Sequence, residues 1–275
     1  MQIAPIPSLS EEINDIRLRT ADIVANRIIP NEGVIYGGGE KSAKIRKEIR
    51  EEVKKQGLWA PHLPEEYGGM GNGFLTHAYM NEVLAWSPLG NRLFGVIAPN
   101  SGNQKILVKY GTEEQKKKWL IPLINQEMES GFSMTEPDSP GSDPRSLKTT
   151  AVKEGDEWVI NGHKIMTSNG NRADFLVVMC RTEDDDDDSG NANMKMTQII
   201  VPTDTPGVTK VRSVPIWGHT GGDHMEIKYE NVRVPLENAL GARGSGHQAA
   251  QDRLGAGRVY HCMNTIGQMW RAFDI

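Results

Sequence analysis

The run Phe132-Ser133-Met134-Thr135-Glu136-Pro137-Asp138-Ser139-Pro140-Gly141-Ser142-Asp143 is dense in small hydroxyl residues, glycine and proline. Proline fixes the backbone and short polar side chains bond to it locally, so such a run builds a rigid turn that aims main-chain N–H groups and hydroxyls outward. An anionic or heteroaromatic ligand is held by that arrangement, several short donors converging on one hollow. A strand-rich segment ending in Asn161-Gly162-His163-Lys164-Ile165-Met166-Thr167-Ser168 adds a further hydroxyl at its end. Together the two stretches read as a cofactor cradle. The plainer reading makes Thr135, Pro137 and Gly141 a tight turn joining two domains, and Ser168 an ordinary strand-end hydroxyl.

Other chemistry-bearing patterns fail on their spacing. Gly37-Gly38-Gly39-Glu40-Lys41-Ser42 lacks the Gly-Lys-Ser/Thr order of a phosphate loop, and Gly241-Ala242-Arg243-Gly244-Ser245-Gly246 is neither in dinucleotide-fingerprint order nor after a βαβ start, so both read as turns. His219 and His224 flank Gly221-Gly222 without a third ligand, so no metal site is expected and the pair reads as structural. The six acids from Glu183 to Asp188 lack the spaced ligands and turn glycine of a calcium loop and read as a solvated hairpin tip. They contribute six negative charges to the net −5, so the rest of the chain sums to +1, and with no basic stripe elsewhere nucleic-acid binding finds no support. Cys180 and Cys262 have no metal or redox spacing and read as free, buried thiols of a reducing compartment.

Positioning the cradle falls to two kinds of element. The first third reads helical: Ile13, Ile16, Thr20, Ile23, Val24 and Ile28 recur at helical spacing behind Ser8-Leu9-Ser10-Glu11, a capping box. Pro30 and the Gly37-Gly38-Gly39 run break that helix, and a second carries Ile45, Ile49 and Val53 up to a stop at Gly57. The proline- and glycine-rich stretch 57–71 reads as a packed loop. Further helices are expected over Leu75–Trp86 and Gly102–Tyr110, and another opens at the capping box Thr112-Glu113-Glu114-Gln115 and runs through Trp119 toward Pro122.

After the cradle the apolar period changes from helical to alternating. Strands are expected at Leu147–Lys153, Glu157–Asn161, His163–Ser168, Asp174–Arg181, Met196–Val201, Val208–Val211 and His224–Glu230, with turns at Gly155-Asp156 and Asn161-Gly162. Seven short strands at this spacing mean a barrel or a sandwich. From Gly246 the pattern is helical again to Ile275, with Val259, Met263, Ile266, Met269 and Trp270 forming an apolar stripe that invites oligomerisation unless covered.

A chain of 275 residues, 37% of them hydrophobic, can bury about three quarters of its unfolded surface and favours more than one subdomain. No apolar run reaches the roughly 18 residues of a membrane helix, and the N-terminus has neither a signal nor a transit pattern, so a soluble intracellular protein is expected. Cytoplasm, mitochondrion and peroxisome are not distinguished.

In order, a helical domain, a Thr-Glu-Pro turn, a small β-barrel with an Asn-Gly hairpin and a Gly-Arg helix resemble the acyl-CoA dehydrogenases. The matching residues are Leu63-Pro64-Glu65-Glu66-Tyr67-Gly68-Gly69, Tyr110-Gly111-Thr112-Glu113-Glu114-Gln115, Met134-Thr135-Glu136-Pro137 with Gly141-Ser142-Asp143, Trp158-Val159-Ile160-Asn161-Gly162-His163-Lys164, and Asn231-Val232-Arg233-Val234-Pro235. The stretch Arg253 to Met263 is most similar to the subgroup of long-chain and larger multidomain members.

The resemblance implies an α+β fold: a helical N-terminal domain over 1–130, a small middle β-barrel binding flavin over 131–240, and the first helix of a C-terminal helical bundle over 241–275. It implies an FAD enzyme that removes the α proton of an acyl-CoA thioester and passes the β hydride to flavin N5. Electrons would leave to an electron-transfer flavoprotein or similar acceptor. By position, Phe132, Met134 and Thr135 would line the flavin edge, Gly141 and Ser142 the pyrophosphate, and Ser168 would stand beside N5 and O4. Met166 takes the place where most members stack a tryptophan on the flavin. Arg258 would approach the CoA portion, a role its charge suits; a surface ion pair is the plainer reading of the same residue.

No residue here matches the family's catalytic glutamate, which the resemblance places beyond Ile275, together with part of the adenine pocket and the main oligomer contacts. The chain is therefore expected to be incomplete, and a homo-oligomer when complete. Two other readings stay open: a non-catalytic subunit or remnant that binds a full-length homologue, and a flavin-free acyl-CoA or protein-binding module.

Overall fold

A computed structural model describes residues 3–182, 195–217 and 223–275. The acidic run at 183–188 and His219 lie outside the described residues. Two compact units divide the chain, Met1–Ile97 with Gly255–Ile275 and Ala98–Leu254.

The first unit is helical. It contains α1 (Glu11–Ile23), α2 (Glu32–Tyr36), α3 (Gly39–Lys55), α4 (Gly73–Leu84) and α5 (Gly90–Leu93). Ser10, rather than Ser8, caps α1 by accepting from the Ile13 N–H at 3.2 Å; the cap moves two residues because Leu9 is already tied back to the Ile6 carbonyl. Pro30 does not end the helical path. It sits at the start of a 3-10 turn, Ile29–Asn31, where its missing N–H is not needed, and the break falls at Gly38 and Gly39, both at positive φ. Ile16, Ile23, Ile28, Ile49, Val53 and Leu84 share one core with Leu58 and Met70 of the 57–71 loop, which is packed as its apolar residues predict.

The second unit opens with α6 (Asn100–Tyr110), α7 (Glu113–Gln115) and α8 (Ile121–Asn125). Both bonds of the Thr112/Gln115 capping box form. Eight described strands follow: β1 (Ser130–Ser133), β2 (Thr150–Glu154), β3 (Glu157–Ser168), β4 (Phe175–Arg181), β5 (Met196–Pro202), β6 (Val208–Ser213), β7 (His224–Pro235) and β8 (Ala239–Leu240). They form one sheet in the order β6-β7-β3-β1-β4-β5-β8, with β2 pairing both β3 and β4. The mixed α+β class is as expected. In place of a closed barrel, the described pairings run as an open path from β6 to β8, because β1 and β2 occupy the same slot between β3 and β4 and so add one width instead of two.

Asn161-Gly162 is not a turn. β3 runs straight through it, and the irregularity lies opposite, where β7 bulges around Glu230-Asn231 with Asn231 at φ 51°. The Asn161 Oδ1 accepts from the Asn231 N–H at 2.8 Å, so the asparagine satisfies the bulge rather than reversing the chain. Gly162 is required for space: a Cβ there would run into the Thr149 side chain. The Gly155-Asp156 turn does form, with positive φ at Gly155, the first central residue.

The chain ends in α9 (Gly246–Asp274), whose residues up to Leu254 group with the sheet and the rest with the helical unit. In that latter part Asn81 donates to the Tyr260 carbonyl at 2.6 Å; of the apolar stripe read from the sequence Val259, Ile266, Met269 and Trp270 stand exposed and Met263 is half-buried, and Phe273 is exposed as well. Cys180 is buried as expected; Cys262 is exposed, on the outer side of α9. Among the described residues no helix is long and apolar enough to cross a membrane.

Candidate functional site

β1 is fixed from below by amides. Asn100 Oδ1 accepts from both the N–H and the hydroxyl of Ser130, at 2.9 and 2.8 Å, and Asn103 Nδ2 donates to Ser130 Oγ and the Gly131 carbonyl. Asn169, just past β3, donates to the Ser130 carbonyl and to Glu129. Each of these amides is buried, so each bond is retained at the cost of leaving a desolvated polar group if lost.

The chain leaves β1 at Met134 and re-enters the sheet at Thr150, so residues 134–149 bridge the slot that β1 and β2 share. Glu136 organises this turn from inside. Its carboxylate accepts from the Lys148 and Thr149 N–H groups at 2.6 and 2.8 Å and from Lys164 Nζ at 2.9 Å; Lys164 also donates to the Met134 carbonyl at 2.7 Å. Burial pushes the Glu136 carboxyl up, and the Lys164 charge with the two N–H groups outweighs it, holding the carboxyl below its ordinary range. Burial lowers Lys164, with Glu136 opposing. The Ile165 N–H closes the lock by donating to the Thr135 carbonyl at 2.9 Å.

Of the predicted set, Gly141, Ser142 and Met166 are exposed, Met134, Thr135 and Ser168 are half-buried, and Phe132 is buried. Phe132 is the direct sheet partner of Ser168. Between Lys164 and Thr167 the β3–β7 register slips, and Met166 sits in that bulge at φ 58°, the residue 39% exposed. A non-glycine residue in this region is strained, and a bulge re-aims the side chain it carries. Gly141 folds back near Thr135, a Cβ on it lying 3.5 Å from Thr135 Cγ2. The structure thus brings Phe132, Thr135, Met166 and Ser168 onto adjacent strand ends, with Gly141 over Thr135 and Ser142 exposed beside it. Arg258 lies on an exposed turn of α9 in the part that groups with the helical unit.

Behind this face stand three contacts that the sequence does not show. His224 Nδ1 lies 3.1 Å from Ser168 Oγ, so the tautomer of His224 decides whether the serine hydroxyl is spent or free to donate outward. A chain of hydroxyls, Tyr229 to Ser133 at 2.9 Å and Ser133 to Thr167 at 3.0 Å, is sealed beneath. The Glu136–Lys164 pair is the third. Its residues stand within the Thr-Glu-Pro and Asn-Gly-His-Lys motifs, but nothing in their spacing says that they meet. Among the described residues no group of three or more histidines, cysteines or acids could hold a metal.

The hydroxyls of Thr135 and Ser142 bond to no protein group among the described residues, and Met166, whose side chain is exposed, follows directly on Ile165, the residue whose N–H holds the Thr135 carbonyl. Free short donors next to an exposed apolar surface suit a flat heteroaromatic group with a polar edge.

Residues 10–127 match the model "Acyl-CoA dehydrogenase, N-terminal domain" and residues 131–232 the model "Acyl-CoA dehydrogenase, middle domain". The Mycobacterium tuberculosis protein named "Probable acyl-CoA dehydrogenase FadE2" is 38% identical over 98% of this chain and 67% of its own length. A solved Mycobacterium abscessus structure described under the same family name has a TM-score of 0.84 at 30% identity, covering 99% of this chain and 69% of that one. The acyl-CoA dehydrogenase of Geobacillus kaustophilus has a TM-score of 0.70 at 28% identity over 94% of this chain and 65% of its own. The chain spans 22% and 35% of longer relatives from mouse and chicken.

Proposed function

We propose that this chain, which belongs to the acyl-CoA dehydrogenase family, is the flavin-holding part of an FAD-dependent dehydrogenase acting on an acyl-CoA thioester. The observation that carries the reading is the unspent hydroxyls of Thr135 and Ser142 on a turn locked by Glu136 and Lys164, tied through the Thr135 carbonyl to Ile165, the residue before the exposed, bulge-borne Met166. FAD, when bound, supplies the acceptor for the substrate's β hydride.

In this reading each residue has a task set by its geometry. Main chain around Phe132, Met134 and Thr135 binds the polar edge of the ring, and the Thr135 hydroxyl adds a donor. Met166 covers the ring face with a polarizable thioether in the place where a wider aromatic would stack. Ser168 presents its hydroxyl at the strand end, oriented by His224. Gly141 and Ser142 meet the pyrophosphate, where a glycine lets the backbone approach. Arg258 is assigned to the CoA portion. Abstraction of the α proton requires a desolvated carboxylate within reach of the substrate, and no described residue of this chain is assigned that role. Electron-transfer flavoprotein or a similar carrier is the proposed acceptor.

A non-catalytic subunit is the second reading, favoured by the exposed stripe on α9; co-purification with a longer homologue would support it. The test of the first is direct. Purified protein incubated with FAD and desalted is expected to retain flavin colour, and acyl-CoA is expected to perturb that spectrum by binding without bleaching it. Protein that stays colourless after FAD is added would overturn the proposal, and rapid bleaching would place a working base within these residues.

A further inference from the structure

Arg253, in the part of α9 that groups with the sheet, is held in a built socket. Its guanidinium lies 3.9 Å from the ring centroid of Phe132, and its Nε donates to Asn103 Oδ1 at 3.2 Å. Asn103 is the same amide that ties Ser130 and Gly131 in place, so the arginine is registered to the strand that leads into the turn. Gly102 makes the room: a Cβ there would lie 2.8 Å from Arg253 Nε and 3.0 Å from its Cζ.

The charge in this socket is not neutralised. Among the described residues Arg253 enters no ion pair, and its two terminal nitrogens donate to no protein oxygen. The acids next to Arg253 in sequence and on either side of the Phe132 strand are engaged elsewhere. Asp252, its neighbour in sequence, is bound by Lys109 at 2.5 Å, by the Tyr110 hydroxyl and by Gln248. Glu129 receives Asn100 and Asn169, and Glu136 receives Lys164. Burial alone pushes the Arg253 pKa down to about 10, which leaves it charged at neutral pH. A guanidinium whose Nε edge is anchored and whose other edge is unengaged matches the two oxygens of a carboxylate or phosphate.

We propose that Arg253 is a specificity-determining residue of this site, receiving an anionic group carried on the acyl portion of the substrate. The inference rests on the acyl-CoA reading above and deepens it from a thioester of any acyl chain to one bearing a negative charge. A purely apolar chain laid against Phe132 would leave the cation desolvated without a counter-charge, which is costly, whereas an anionic chain neutralises it.

The test is calorimetric binding to the FAD-loaded 275-residue chain. The probes are succinyl-, glutaryl- and adipyl-CoA, each against a neutral partner of equal length in which an isopropyl group replaces the terminal carboxylate. In at least one pair the charged probe is expected to bind about tenfold tighter. Arg253→Met is expected to erase that preference, the charged probe losing about tenfold relative to its neutral partner. Arg253→Lys, which keeps the charge without the fork, is expected to retain part of the preference, and Gly102→Ala, which displaces the guanidinium, to reduce it. Neutral probes binding as tightly in every pair would overturn the inference, as would a preference that survives Arg253→Met. Should that variant not fold, an unchanged preference in both Arg253→Lys and Gly102→Ala would overturn it. Flavin retained with no binding of any probe would overturn the acyl-CoA reading and this inference with it.

Discussion

Lys164 Nζ and Glu136 Oε1 meet at 2.9 Å inside the slot between β3 and β4, with side chains 0% and 4% exposed. The pair joins the middle of a strand to the middle of a turn. The lysine also holds the Met134 carbonyl, and the glutamate holds the N–H groups that start the return to β2, so both ends of the 134–149 segment are pinned by one ion pair. The placement of Thr135 and Gly141 follows from that pin.

Breaking one partner therefore costs more than the pair itself contributes, because the other charge stays buried without compensation. Glu136→Gln is expected to lower the unfolding free energy by about 3 kcal/mol in urea denaturation, and to weaken FAD retention with it. Replacing both residues, Glu136→Gln with Lys164→Met, is expected to restore stability but not flavin retention. An unchanged denaturation midpoint in the single variant would show that the pair does not lock the turn.

Acid should act through the same carboxylate. Glu136 is held below its ordinary 4.5 in the folded chain, so between those two values the unfolded chain binds more protons and stability rises with pH. Its contribution is complete above pH 4.5 and is lost as the pH falls through the lowered folded value. Urea midpoints measured from about pH 6 to about pH 3 should decline, and the decline should be shallower in Glu136→Gln. Parallel curves for the two proteins would contradict this.

Met166 is strained for the sake of its side chain's direction. Met166→Gly removes the penalty of a positive φ at a half-open position and is expected to stabilise the protein by about 1 kcal/mol while weakening FAD binding. Thermal and FAD titrations on the same variant check both. A variant that loses stability and keeps full FAD affinity would remove the bulge from the account.

Gly162 has no space for a methyl group because Thr149 lies against it. Gly162→Ala is expected to destabilise by about 2 kcal/mol, and Thr149→Ser in the same chain to recover part of that loss, since the clash involves the Thr149 methyl as well as its hydroxyl. Chemical denaturation of the single and double variants measures the coupling.

Much of this was legible in the residues. Helical spacing of Ile45, Ile49 and Val53 gave α3, the Thr112/Gln115 box formed both of its bonds, and the alternating segments became strands. Local pattern failed where tertiary contacts decide. Asn161-Gly162 carries a hairpin signature, yet here the asparagine side chain serves a bulge on the neighbouring strand and the glycine clears a threonine from another. β1 carries no strand signature in the sequence because its four residues are all buried and show no alternation, and asparagines of α6 hold its first two, Ser130 and Gly131. The turn's hydroxyls could be read from their types. Arg253 could not, since its significance lies in what does not pair with it, and that depends on where Asp252, Glu129 and Glu136 are spent.

The central claim, that the Thr135 turn and the end of β3 hold FAD, is tested most directly by flavin absorbance after gel filtration of the FAD-treated chain. Wild-type protein is expected to carry about one flavin per chain, and a Thr135→Val, Ser168→Ala variant of unchanged melting temperature to elute nearly colourless. Equal flavin content in the two proteins, or none in the wild type, would contradict the account.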